Sequence, residues 1–422
     1  MFSSEDDPSL NWQPPKRPEW VQRVVEEGAC MDIRGVVPLD EQSLLQAAVQ
    51  STGLSDFGDP EWLTAFRVFI DALEKEANLN LMGRLRIRQE MLLFLKTRLQ
   101  VEDTYKRHPE IDDEVIRQPI LVTGQGRSGT SMLQNVLAAN PDYGTLLHWE
   151  MLLPCPPPEK ATYHTDPRIE QADRWITQWN RVVPTLESMH EFHARMPFEC
   201  TVVMSIPFQS DAWLAGLVQV PSFHGYIAQS DPTLPLLFLK RVLKLLQWKN
   251  PRNHWVLKDV SLLRNLPAVF KVFPDVCVVW AHRDPVRSTA SFINMLGTMQ
   301  WAQSDTPLQA GSLDMMRDPM LSASLFNSVI DLIESGAIPA GQLYNVHYKD
   351  LVSDTMGTLE SIHRFFGIPL SDAGRAGMAK YLADNPRDSR PAHRYPAVKG
   401  QALDRAREVY SRYQNYFGIP SE

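Results

Sequence analysis

The chain has 422 residues, 44% hydrophobic and 22% charged, enough to bury a large core and to exclude wholesale disorder, collagen and coiled coil. Its 42 basic and 50 acidic side chains leave a net charge of −8. That balance argues against a general nucleic-acid binder or a long acidic polysaccharide as partner, while leaving room for a local basic site.

The N-terminal stretch MFSSEDDPSLNWQPPKRPEW is acidic, proline-rich and without an apolar segment. It is expected to be a loose arm over 1–20, not a signal peptide. Residues 21–117 are expected to form a helical region packed on the core. Asp59-Pro60-Glu61 opens one helix, with Leu63, Phe66, Phe69, Ile70 and Leu73 at helical spacing. MLLFLKTRLQVEDTYKR reads as a second. At Gln118 the texture changes, and 118–422 is expected to be an α/β core with helical insertions for substrate and C-terminal helices. PILVTG is a short apolar run ending in glycine, the mark of a buried parallel strand. A glycine-rich loop and the helical MLQNVLAAN follow, stopped by Pro141. Residues 166–190 read as a helix with Ile169, Ala172, Ile176, Trp179, Val183 and Leu186 on one stripe and a kink at Pro184. Another helix is expected over 231–249. HWVLKD and DVCVVWAHRD read as strands flanking a helical LLRNLPAVFKVF, and VRSTASFINML as a helix. LYNVHYKDL reads as a further strand before a helix at 354–366. Strands alternating with helices predict a P-loop-type parallel sheet covered on both faces.

No run reaches the about 18–20 apolar residues of a membrane span. The four cysteines, Cys30, Cys155, Cys200 and Cys277, form no CxxC pair and fit a reducing compartment. A soluble, cytoplasmic protein is expected, with no nucleic-acid partner and no metal; homo-oligomerisation through 38–107 stays open.

Gly124-Gln-Gly-Arg-Ser-Gly129-Thr130-Ser131 has the spacing of a Walker A loop, but Thr130-Ser131 stands where Lys-Ser or Lys-Thr is required. The lysine that would clamp β- and γ-phosphates is missing, and the cation has moved into the loop as Arg127. The backbone N–H groups of such a loop still suit phosphate. Arg283 ends a later strand, and Ser291 lies eight residues on. Together they suit a second phosphate at the carboxyl edge of a sheet. Read alone, they are better taken as a surface Arg283–Asp284 pair and a helix serine.

A strand running into an RSGT-type loop, with R-x7-S after a later strand, resembles the sulfotransferase superfamily. FGDPEW at 57–62, HWE and its prolines at 148–158, and VHYKDLV at 346–352 look like its bacterial single-domain branch. The likeness covers at least 118–370. It implies transfer of a sulfuryl group from 3′-phosphoadenosine 5′-phosphosulfate to a hydroxyl of a small or lipophilic acceptor, with adenosine 3′,5′-bisphosphate as product. The 5′-phosphosulfate would lie on Gly126, Arg127, Ser128, Gly129, Thr130 and Ser131. The 3′-phosphate would lie on Arg283 and Ser291. Tyr348 matches a tyrosine placed near the adenosine, and Arg394 is a further candidate for the 3′-phosphate, although the R-K-G signature of the cytosolic enzymes is absent. Arg127 stands where tyrosylprotein and polyketide-type enzymes carry arginine. Lys258 resembles the lysine of a K-D-P segment, with Val260 replacing the proline; an ion pair with Asp259 is its alternative. His190 in H-x6-P-x-E-C is the expected base, 63 residues after Arg127. Glu150, 23 residues after Arg127, competes for that role. His148 and His193 are read as structural. Trp149 and Trp213 are candidates to line the acceptor pocket, and Trp175 and Trp179 are read as core. The rival functions are a P-loop kinase or NTPase and a non-catalytic nucleotide-binding scaffold.

Overall fold

The computed structural model describes residues 12–186, 192–306, 318–386 and 400–422, with the side chains of 288–292 and 402 outside the description. Five strands form one parallel sheet: β1 (Ile120–Gly124), β2 (Tyr143–Thr145), β3 (His254–Lys258), β4 (Cys277–His282) and β5 (Leu343–His347). Their spatial order is β2-β3-β1-β4-β5. From β1 the chain crosses to the edge at β2, returns to β3 beside β1, and then continues through β4 and β5 on the other side. The carboxyl ends beside β1 are therefore the crevice in which such sheets take ligands.

Strand alternation divides the core in two. Ile120, Val122, Val256, Val279 and Ala281 pack on one face with Leu133, Val136, Leu137, Ile362 and Met378. Leu121, Leu257, Val278 and Trp280 face the larger cluster, which includes the N-terminal helices. Burial on both faces is why β1, β3 and β4 read as unbroken apolar runs. The sequence reading missed β2. Its Tyr143-Gly-Thr is only three residues long and takes its register from β3, where Tyr143 faces His254.

Trp62–Lys75 buries Trp62, Ala65, Phe66, Phe69, Ala72 and Leu73, close to the expected stripe. Leu81–Arg107 is a 27-residue spine, buried over most of its surface, with Arg84, Arg86, Glu90, Arg98 and Glu102 among its buried side chains. The Asn80 side chain caps its start by accepting from Gly83 N–H. The expected kink at Pro184 is instead an end: the helix runs Arg168–Val182 and stops before the proline, because the residue ahead of a proline disfavours helical dihedrals. The stripe residues Val183 and Leu186 remain buried beyond it.

Residues 12–18 belong to the expected loose arm, yet they are fastened. Arg17 donates to Trp301 O and Ser304 O at 2.6 and 2.9 Å, and its guanidinium lies 4.0 Å from the Trp301 ring centre. Trp12 Nε1 donates to Asn294 at 3.2 Å. The helical region is tied to the same segment, with Asn80 N–H donating to Gln303 O at 3.0 Å. No described helix is long and apolar enough to cross a membrane.

Candidate functional site

β1 ends at Gly124 with φ of +140°, and a Cβ there would stand 2.5 Å from Ala281 O. Only glycine lets the chain leave the sheet this close to β4. The next turn is tight: Ser128 N–H and Oγ both donate to Gln125 O, at 3.2 and 2.6 Å. Arg127 sits at its crest with φ of +72°, a left-handed conformation that costs a non-glycine residue about 1–3 kcal/mol and is typical of sites that hold ligands. Gly129, at φ +97°, starts the Thr130–Ala138 helix with no side-chain cap. A Cβ on it would meet Tyr348 and Leu351 at 3.1 and 3.0 Å. The uncapped N–H groups of the first turn thus point along a loop suited to an anion.

Two cations flank this loop from neighbouring strands. Lys258 ends β3 and is buried, its side chain 4% exposed. Its Nζ donates to Ser131 Oγ at 3.1 Å and pairs with Glu199 at 2.6 Å. So the partner of Lys258 is Glu199, and the Asp259 ion pair weighed from sequence is not the one that forms at close range. Glu199 is held in place by its neighbours in the chain: Phe198 N–H donates to Leu146 O and Cys200 N–H to Lys258 O. Asp259 is fully buried. One of its oxygens accepts from Ser261 N–H and Oγ at 2.8 and 2.6 Å. Burial, and then the charge of Glu199, push its carboxyl up to about 7.

Arg283 follows β4 on the other side of the loop. Its Nη1 donates to Arg127 O at 3.3 Å, and its guanidinium lies 4.2 Å from the Tyr348 ring centre. The Nε and Nη2 atoms take a carboxylate, that of Glu422, at 2.9 and 2.7 Å. Asp284 is engaged by Arg407 at 2.6 Å and caps the Pro285–Trp301 helix through Val286 N–H. The segment carrying Arg283 is anchored from behind, where His282 bonds Tyr413 and Asn345 and is driven down to about 3 by burial.

A phosphate-type loop between two strand-end cations, one of them paired with an acid, coincides with a match to the family model described as Sulfotransferase family, over residues 119–372. The chain belongs to the sulfotransferase family. No curated protein sequence matches it. Among solved structures, it is similar to sulfotransferase STF1 from Mycobacterium tuberculosis H37Rv, at 28% identity and a TM-score of 0.75, over 88% of this chain and 98% of that one. Sulfotransferase STF9 from Mycobacterium avium shares the fold at 24% identity and a TM-score of 0.78, over 91% and 98%.

In this sulfotransferase the other expected site residues fall in different places. Ser291 lies in the Pro285–Trp301 helix, two turns beyond Arg283, and its side chain is outside the description. His190 and Arg394 lie outside the described residues. Glu150 is completely buried; its carboxylate accepts from Leu147 N–H at 3.1 Å and from Arg252 at 3.4 Å, and burial pushes its pKa up. His148 stacks on Phe198 at 4.2 Å. Trp149 and Trp179 are core, while Trp175 and Trp213 are partly exposed at its edge. His193 lines a groove of about 460 Å³ with Asp166, Glu170 and Asp173. No group of three or more His, Cys, Asp or Glu suited to a metal occurs among the described residues.

Sequence reasoning passed over Glu199. The signal was present in the P-x-E-C segment, which served there only to place His190. Pro197 bridges to Leu147, and that pairing sets the acid beside the end of β3.

Proposed function

We propose that this sulfotransferase moves a sulfuryl group from 3′-phosphoadenosine 5′-phosphosulfate to a hydroxyl of a small or lipophilic acceptor. The observation that carries the reading is Lys258, whose ammonium joins the helix after the phosphate loop to the Glu199 carboxylate. In such a transfer the S–O bond to the 5′-phosphate breaks, a new S–O bond forms to the acceptor oxygen, and the acceptor proton must leave. Negative charge builds on the departing phosphate oxygen, so cations aimed there lower the barrier. Lys258 and Arg127 supply them. The loop N–H groups with Gly126, Ser128, Gly129, Thr130 and Ser131 receive the 5′-phosphate. Arg283 and Ser291, with Arg394, receive the 3′-phosphate, and Tyr348 sits against the adenosine. The Glu422 carboxylate that Arg283 already donates to supports this reading of its guanidinium.

The proton goes to a nearby base. Glu199 fits that role, because the same ammonium that restrains it is the one drawn to the leaving oxygen. As Lys258 shifts to the phosphate, Glu199 gains basicity when the acceptor must be deprotonated. His190 is the other candidate, and Glu150 the third, although its carboxylate already serves Leu147 and Arg252.

Thermal shift tests the nucleotide class. Adenosine 3′,5′-bisphosphate without metal should stabilise the chain by mass action, as any ligand of the native state does. Stabilisation by ATP with magnesium alone would establish the kinase reading instead. Turnover of simple phenols with ³⁵S-labelled donor tests the reaction, and binding without any turnover would leave a nucleotide-binding scaffold.

A further inference from the structure

The Leu81–Arg107 helix carries two buried charged groups that neither the fold nor the proposed reaction uses. Arg86 is 5% exposed, and its Nε and Nη1 are buried without a hydrogen-bond partner among the described residues. Its guanidinium lies 3.2 Å from the centre of the Trp179 ring, which supplies attraction but no hydrogen-bond acceptor. Glu90, one turn on, is equally buried and accepts from Trp213 Nε1. Burial pushes the Glu90 carboxyl up and Arg86 down to about 9, while the charge of each draws the other partly back. Guanidinium N–H groups shielded from water and left unbonded are costly, so a buried arginine in this state calls for an oxygen from elsewhere.

The cluster leads to the reaction centre. Trp213, half-buried, meets Phe198 edge-on at 5.5 Å. Phe198 precedes Glu199, the partner of Lys258. A chain of contacts through Glu90, Trp213 and Phe198 thus joins the turn of helix carrying Arg86 to the segment carrying Glu199.

We infer that Arg86 is a binding residue for the acceptor, and that the acceptor carries a carboxylate or similar oxyanion at the end remote from the hydroxyl that is sulfated. This rests on the proposed function. Trp179 and Trp213 would cover the apolar middle, and Glu90, bonded to the indole, leaves the guanidinium N–H groups to the ligand.

The test uses two phenols of matched length, 6-(4-hydroxyphenyl)hexanoate and 4-hexylphenol, with labelled donor and the full chain. The wild-type chain should favour the carboxylate in kcat/KM by at least about tenfold, mostly through KM, since a charged hydrogen bond is involved. Arg86→Met should abolish that preference, and Arg86→Lys should keep part of it. Glu90→Gln should preserve or increase it. A merely structural arginine would lower turnover of both phenols alike and leave their ratio unchanged, which overturns the inference, as does a wild-type preference for the alkylphenol. Should Arg86→Met fail to fold, Arg86→Lys and Arg86→Gln give the same ratio. Should the wild-type chain sulfate neither phenol, the reaction assignment fails, and thermal shift still decides the site. Stabilisation by the carboxylate phenol that Arg86→Lys weakens supports it; no stabilisation, or stabilisation that Arg86→Lys leaves intact, rejects it.

Discussion

Replacing Arg283 by alanine separates the two phosphates of the donor. A charged hydrogen bond to phosphate is worth about 1.5–3 kcal/mol, and each 1.4 kcal/mol is tenfold in affinity. The gain on binding is smaller here, because the guanidinium already holds the Glu422 carboxylate in a pair whose side chains are 19% and 31% exposed. Such a half-wet pair is worth about 1 kcal/mol or less, and it must break before a 3′-phosphate can take its place. The net loss for adenosine 3′,5′-bisphosphate should therefore be about 1–2 kcal/mol, or roughly 5–30-fold. Adenosine 5′-phosphosulfate lacks the 3′-phosphate and should lose less than about twofold. Glu422→Ala should act in the opposite direction, tightening the bisphosphate by up to about fivefold while leaving the phosphosulfate unchanged. Isothermal titration of both nucleotides at fixed ionic strength measures all four values. Arg283 also touches the loop at Arg127 O, so Arg283→Lys, which keeps the charge, serves as the control for loop distortion. Equal losses for the two nucleotides in Arg283→Ala would refute the assignment of Arg283 to the 3′-phosphate.

Glu199→Gln should cut kcat by about 10²–10⁴-fold with little change in donor affinity; if His190→Ala or Glu150→Gln alone has that effect and Glu199→Gln does not, the base is reassigned. Asp259 holds its proton in the folded chain up to about pH 7 but releases it near 3.8 when unfolded. A raised folded-state value contributes stability below the unfolded pKa that is lost as pH rises through the folded one, so stability should fall by up to a few kcal/mol from about pH 4 to 7. Asp259→Asn should flatten that slope in urea titrations, and an unchanged slope would discount the shift. Gly83→Ala drives a methyl group into the Gln303 backbone carbonyl and should cost about 1–3 kcal/mol. Gly225→Ala, with nothing within 4 Å on the Pro221–Ile227 helix, should instead gain about 0.5–1 kcal/mol. A calorimetric melting series that ranks the two alike would show the close approach at Gly83 to be unimportant.

The sheet was legible because its strands are buried on both faces, which leaves apolar runs such as ILV and CVVWA at their centres. The phosphate loop was legible because glycines at 124 and 129 answer local needs, one for the approach to Ala281 and one for the packing of Tyr348. β2 was not legible, since three residues carry no period. Glu199 escaped because its meaning is spatial. It comes 59 residues before Lys258, and only the pairing of Leu147 with Pro197 and of Cys200 N–H with Lys258 O brings the two together. Arg86 escaped for a related reason. On a helix buried over most of its surface and carrying several arginines, the sequence gives no sign of which face Arg86 looks toward.

The fastening of the arm and of Asn80 to residues 301–305 sets an order on synthesis. The Leu81–Arg107 spine leaves the ribosome about 200 residues ahead of the segment that closes over Gly83. At roughly 5–20 residues per second, that is about 10–40 s during which apolar surface near its first turns waits for its partner. The nascent chain therefore passes through a long interval of incomplete burial. Its yield on expression should respond to slower growth temperature and to added chaperones more than the stability of the finished protein would suggest.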